Sequence, residues 1–295
     1  MGHQFVKNCS GTYCVKSKYD STCDLVLVIG KGGGNNLPDI RKVYTVNNSG
    51  DLNMDLTCDH VVLDHATDLI GPGVIKAVCN ADGDHVNSRY FTGGNHQDNN
   101  QGTGGYPTAR CVDFVCTCDG VPVDAESFGN LIVCHWTNLL QGYNTTVAGG
   151  CGREILREDV TLTIADGTVT VDICHTALED IIRQTYYGLQ LFNGDFTEVV
   201  FSGGKNPGPH PTRAGVNCGC KNCRTILLRG NETDIVEMCV TDFGLGSFRY
   251  NASDHSAFNA QYGKCYFNLI RNMDYLQKKG ETTATKGYYR FYSVK

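Results

Sequence analysis

Two arms, Val160-Thr161-Leu162-Thr163-Ile164 and Val169-Thr170-Val171-Asp172-Ile173, flank Asp166-Gly167. Both alternate apolar and polar residues with a period of two. Only an extended strand places every second side chain on one face. Asp-Gly supplies the positive-φ pair that closes a tight hairpin. The run therefore predicts a half-buried antiparallel sheet. Asp119-Gly120 repeats the signal between residues 110–118 and 121–123. Leu25-Val26-Leu27-Val28-Ile29, Val61-Val62-Leu63 and Val74-Ile75-Lys76-Ala77-Val78 read as buried strands. Further strands are expected around 196–201, 225–229, 234–240, 263–270 and 287–294. Residues 177–190 are the one helix candidate, and part of that segment, Tyr186-Tyr187-Gly188-Leu189-Gln190-Leu191-Phe192, reads equally well as a strand.

Many short strands with frequent turn signals predict an all-β fold: a large antiparallel β-sandwich, jelly-roll-like, with little helix. No repeat with a period of roughly 20–50 residues is visible, which argues against a propeller or solenoid. The organisation expected is an N-terminal strand and Gly-rich linker over 1–40, then one sandwich domain over 41–295. A hydrophobic content of 41% with 19% charged residues is that of a globular chain. A net charge of −6 argues against a general nucleic-acid grip, which needs a basic face. No run approaches the ~18 apolar residues of a membrane helix. Met1-Gly2-His3-Gln4-Phe5-Val6-Lys7 lacks the apolar stretch of a signal peptide. The chain is thus expected to be made in the cytoplasm, with action there, outside the cell or on a virion left open.

Sixteen Cys are present. Cys79, Cys111, Cys134, Cys174, Cys239 and Cys265 sit in apolar or alternating segments, where buried free thiols acting as small hydrophobes are expected. Cys218, Cys220 and Cys223 place three thiols within six residues of a Gly-rich stretch. They are half of a zinc knuckle without a partner pair at ordinary spacing, so they remain weak metal candidates beside a loop disulfide or free thiols. Val28-Ile29-Gly30-Lys31-Gly32-Gly33-Gly34-Asn35 runs from a strand into a Gly-rich turn. The dinucleotide fingerprint needs Gly at 35 and a helix beyond it. Asn35, Pro38 and a strand-like run near Val43 stand there instead, so a turn or linker is expected.

The densest polar cluster is Arg89-Tyr90-Phe91-Thr92-Gly93-Gly94-Asn95-His96-Gln97-Asp98, preceded by Asp82, Asp84, His85 and Asn87. Gly93-Gly94 allow close backbone approach by a ligand. Asn95, His96 and Gln97 then offer groups that bond sugar hydroxyls or shuttle protons. The alternative is a solvent loop whose Asn and Asp cap turns. His135 shares a strand face with Leu131 and Val133, and His175 shares one with Val169, Val171 and Ile173. Each is either a satisfied core histidine or part of a shared cleft. Near the C-terminus, Lys264-Cys265-Tyr266 and Lys286-Gly287-Tyr288-Tyr289-Arg290 are aromatic-basic strands suited to stacking on sugars and pairing with uronates, or to an ordinary aromatic core edge.

The strand pattern, Thr92-Gly93-Gly94-Asn95-His96 and the closing Tyr/Lys/Arg strands together resemble large jelly-roll carbohydrate-active domains. Polysaccharide lyases and the depolymerase or receptor-binding modules of phage tail spikes are the comparisons. The resemblance implies a polysaccharide partner, with homo-oligomerisation open. It implies cleavage of an acidic polysaccharide by β-elimination, with His96 as base, Tyr90 or Tyr266 as acid, and Arg89 and Asn95 neutralising the carboxylate. His85, Gln97, His135, His175, Lys264, Tyr289 and Arg290 would bind substrate. That chemistry requires no cofactor. Two alternatives stand: a non-catalytic carbohydrate-binding or virion module, and a glycoside hydrolase, which needs two carboxylates roughly 5–9.5 Å apart.

Overall fold

The computed structural model describes residues 3–64, 68–84, 86, 89–95, 106–212, 217–245, 249–250, 256–260 and 263–294. Among them the hairpin read from the sequence is in register. Strands Glu154–Ala165 and Thr168–Ala177 pair Ile164 with Val169, Leu162 with Val171 and Val160 with Ile173. Asp166 and Gly167 take the positive φ that a type I′ turn requires (47° and 70°). Asp119 and Gly120 do the same.

That hairpin lies at the centre of a ten-stranded sheet. Its strands run in the order His210–Pro211, Glu198–Ser202, Thr225–Asn231, Asp234–Asp242, Thr282–Ser293, Thr168–Ala177, Glu154–Ala165, Ile132–Gln141, Ala109–Cys118 and Val121–Pro122. A six-stranded sheet holds His60–Asp64, Leu37–Asn47, Cys23–Gly32, Thr12–Lys18, Gln4–Cys9 and Glu126–Gly129. All pairings within these two sheets are antiparallel. Their facing sides share one apolar core, with Val15, Leu25, Leu27 and Ile29 from the N-terminal sheet and Ile132, Trp136, Leu162 and Val171 from the large one. The chain is thus an all-β sandwich.

Two four-stranded sheets complete the fold. One runs Arg249–Tyr250, Ile270–Gln277, Ile181–Tyr186, Gly73–Ala77, its first pairing parallel. The other runs Gln190–Phe192, Lys264–Phe267, Ala257–Ala260, Cys218–Cys220. One sequence expectation changes here, and the turn expected at 30–36 is present. The helix candidate over 177–190 contains the strand Ile181–Tyr186, because its apolar and polar residues find partners on Gly73–Ala77 and Ile270–Gln277. The Gly-rich stretch 30–36 is the tip of a hairpin between Cys23–Gly32 and Leu37–Asn47, so residue 40 lies inside a strand. No described helix is long and apolar enough to cross a membrane.

Candidate functional site

The segment Arg89–Asn95 is fixed to the first small sheet by a two-way bridge. Gly73 N–H donates to Thr92 O at 3.0 Å, and Thr92 N–H donates to Gly73 O at 2.8 Å. Gly93 and Gly94 then turn with positive φ of 71° and 61°. A Cβ on Gly93 would stand 2.5 Å from Leu140, so side-chain volume is excluded there as well as backbone freedom demanded. Asn95 closes the corner. It accepts from Leu37 N–H at 2.9 Å, donates to Leu37 O at 2.7 Å, and its own N–H meets the Asp68 carboxylate. With 1% exposure, Asn95 is committed to the backbone of another strand and faces no ligand. The Gly-Gly-Asn run shapes the site rather than lining it.

Arg89 and Phe91, just before this corner, do reach a surface. Tyr187, directly after strand Ile181–Tyr186, lies 5.4 Å from Phe91 and 4.3 Å from Tyr266, ring centroid to centroid. Phe258 extends the row 5.6 Å beyond Tyr266. Arg271 Nη1 donates to the Tyr187 hydroxyl at 2.5 Å. Arg89 Nη2 donates to Thr185 Oγ1 at 3.2 Å and Asn272 Oδ1 at 3.3 Å. Gln184 donates to Asp274 at 2.8 Å, and Tyr143 OH meets Gln184 at 3.4 Å. Four aromatic rings thus run beside two guanidinium groups and a fringe of amides and one carboxylate. Arg89, Asn272 and Asp274 are exposed, whereas Phe91, Phe258 and Arg271 are half-buried. Tyr90 is buried against Tyr143 and its hydroxyl donates to Tyr143 O at 2.9 Å.

Beneath the row lies a buried acidic pair. Asp68 is 4.0 Å from the Lys264 ammonium, whose pKa burial pushes down against the pull of Asp68 and Asp39. Burial, with Asp68 nearby, raises the Asp39 carboxyl to about 8. Asp39 accepts from Leu69 N–H at 3.0 Å and Ile40 N–H at 2.8 Å.

Of the residues singled out in the sequence, Arg89, Tyr90, Asn95, Lys264 and Tyr266 converge here. Tyr289 approaches the same region from inside the large sheet. Its hydroxyl is engaged with Leu69 O and with Gln190 N–H and O, so it is enclosed. Arg290, its neighbour, faces the opposite side of that sheet, because successive strand residues alternate. His135 is on the outer side of its strand, 3.0 Å from Thr161 Oγ1. His175 is in the core. His85, His96 and Gln97 lie outside the described residues. Cys220 and Cys223 are buried and Cys218 half-buried. No group of three or more His, Cys, Asp or Glu among the described residues is placed to hold a metal.

His175 belongs to a second polar array, enclosed between sheets. Arg183 Nη2 donates to His175 Nδ1 at 3.3 Å. His175 Nε2 faces Glu158 Oε2 at 3.0 Å, and Asn138 donates to Glu158 Oε1 at 2.9 Å. Arg183 also donates to Thr283 at 2.9 Å and lies 4.5 Å from the Tyr186 ring centroid. Burial first, and Arg183 second, hold the His175 pKa below its ordinary value.

Sequence reasoning missed Tyr187, Arg271, Gln184 and Asp274. The local signal was the Tyr186-Tyr187-Gly188 step, where Gly188 turns at φ 68° and releases Tyr187 from strand alternation.

No family model matches the sequence, and no curated protein matches it. Solved structures similar to this chain include the galactosidase domain of an α-galactosidase–sucrose kinase, at 12% identity and TM-score 0.43 over 99% of this chain and 41% of that one. A second is an α-galactosidase from Geobacillus stearothermophilus, at 11% identity and TM-score 0.42 over 99% and 40%. A third is a heparan sulfate lyase from Pedobacter heparinus, at 9% identity and TM-score 0.40 over 96% and 35%. The chain therefore spans well under half the length of each.

Proposed function

We propose that this chain is a carbohydrate-active protein that takes an acidic polysaccharide on the Tyr187 face and cleaves it by β-elimination. The observation that carries the reading is Tyr187 itself. Its ring lies between Phe91 and Tyr266, and Arg271 donates to its hydroxyl. Phe91 and Phe258, the half-buried rings at the two ends of the row, offer stacking surface to the C–H faces of sugars, with Tyr187 and Tyr266 buried between them, and guanidinium groups pair with carboxylates. Arg89 and Arg271 are the guanidinium groups of the face, with Asp274 as its exposed acid.

In the elimination, Arg89 and Arg271 neutralise the uronate carboxylate and so acidify the adjacent carbon. A base takes that proton, the electron pair forms the carbon–carbon double bond, and the bond to the glycosidic oxygen breaks. His96, which follows Asn95 in sequence, is the proposed base. Tyr187 is the proposed proton donor to the leaving oxygen. It replaces Tyr90, whose hydroxyl already donates within the protein, and Tyr266, which is buried more deeply than Tyr187.

The test is a panel of uronic polysaccharides assayed for binding and for the ultraviolet absorbance of an unsaturated product. Wild type should bind and give the absorbance, and Arg271→Ala should lower both by about tenfold or more. Reducing ends without the absorbance would replace elimination by hydrolysis. Retained binding with neither product would leave a carbohydrate-binding or virion module. No binding to any acidic glycan would overturn the reading.

A further inference from the structure

Cys116 on strand Ala109–Cys118 stands directly opposite Cys134 on strand Ile132–Gln141. Both side chains point into the core, with 1% and 0% exposure. Their sulfurs are 3.0 Å apart. Cys116 O accepts from Val123 N–H at 3.0 Å, on the edge away from Ile132–Gln141. In an antiparallel pair the N–H and C=O of one residue face the same edge, so Cys116 and Cys134 form a non-hydrogen-bonded pair. Such pairs bring Cα atoms to about 4.5 Å with the side chains closest together. That is inside the roughly 4.4–6.8 Å a disulfide spans. Cys118, the next inward thiol, faces Ile132 and offers Cys134 no competition.

We infer that Cys116 and Cys134 are a cross-strand disulfide site, joined when the chain folds in the presence of a small-molecule disulfide. One thiolate attacks glutathione disulfide and releases one glutathione thiolate. The second protein thiolate attacks the mixed disulfide at the protein sulfur and releases the other. Two S–H bonds are lost, one S–S bond forms, and two electrons pass to glutathione. The Cys116 thiol beside it, together with burial, keeps the Cys134 thiol well above the ordinary range, so thiolate is scarce in the finished fold. The reaction accordingly belongs to folding, before the pair is enclosed. The bond would fasten an edge of the large sheet, where only Val121–Pro122 lies beyond Ala109–Cys118.

The experiment refolds the full reduced chain in a glutathione redox buffer and, in parallel, in dithiothreitol. Free thiols are then alkylated under denaturing conditions and the peptides mapped by mass spectrometry. The glutathione sample should contain the Cys116 and Cys134 peptides joined, two hydrogens lighter, and dithiothreitol should separate them. The Cys116→Ala/Cys134→Ala double variant should lack this product while keeping its near-ultraviolet dichroism. Should that variant fail to fold, the wild-type map decides alone. Alkylation of both cysteines in the glutathione sample, or a bond from either to another cysteine, would overturn the inference.

Discussion

Arg183→Met removes one charge from an array enclosed on every side, and the size of the loss follows from what stays behind. Arg183 donates to His175 Nδ1, which makes Nδ1 the acceptor and leaves the proton on Nε2, facing Glu158. The array is therefore a guanidinium and a carboxylate with a neutral imidazole between them. Without Arg183, Glu158 keeps only Asn138 and His175 as partners. Stranding one partner of a buried pair costs about 3–5 kcal/mol. His175 supplies the pH signature. Its folded pKa lies below the unfolded value of 6.5. The unfolded chain thus binds the proton more readily, and wild-type stability falls as pH drops below 6.5. In the variant, the Arg183 contribution to that depression is gone and the pull of Glu158 remains. His175 then protonates more readily and compensates Glu158, so the gap between variant and wild type narrows as pH falls. Urea unfolding followed by the fluorescence of the single tryptophan, the buried Trp136, measures both proteins above and below that pH. The Arg183→Met/Glu158→Gln double variant should lose at least about 1 kcal/mol less than the sum of the single losses. Additive losses, or a gap that widens on acidification, would refute the account.

Lys16→Met should cost about 3–5 kcal/mol in urea unfolding. The fully buried ammonium binds Asp24 at 2.9 Å, Asn53 Oδ1 at 2.8 Å and Asp55 O at 2.7 Å, so limited proteolysis should also open residues 48–58. Asp39→Asn tests the raised carboxyl. A folded pKa of about 8 against 3.8 gives stability that is full below 3.8 and lost as pH rises through 8, so the variant's stability curve should be flatter across that window. His135→Ala, on the outer side of its strand with one bond to Thr161, should lose about 1 kcal/mol or less, and His175→Ala clearly more. Thermal melts of the two would settle the order.

Alternation made the central hairpin legible because one of its faces is buried and the other solvated. The same rule left His135 open. Ile132–Gln141 is apolar on both sides, so Leu131 and Val133 looked as much like core as Cys134 and Trp136. The structure puts Cys134 and Trp136 inside, and His135 follows Val133 outward. His175 needed no such choice, since Val169, Val171 and Ile173 carry its face into the core. Grouping Tyr289 with Arg290 as ligand contacts overlooked that adjacent strand residues face opposite sides. Arg271 and Tyr187 were illegible for another reason. Their meeting depends on the pairing of Tyr186 with Ile270 and Thr185 with Arg271, across more than eighty positions of sequence.

The two polar assemblies differ in what they leave available to a ligand. Glu158, His175 and Arg183 satisfy one another in the interior, and a substrate would have to displace Leu140, Leu156 and Tyr186 to reach them. Their role is to fix the small sheet Ile181–Tyr186 against Thr168–Ala177 and Thr282–Ser293. Tyr187 leaves that sheet directly after Tyr186, so the enclosed array sets where the Tyr187 face stands. The Gly93-Gly94-Asn95 corner acts on the other side, through Asp68 and Leu37, to place Arg89 to Phe91. Groups with access to solvent, Arg89, Asn272 and Asp274, stand between these two fixed points. A binding face needs this arrangement: exposed donors held by neighbours that do not themselves move.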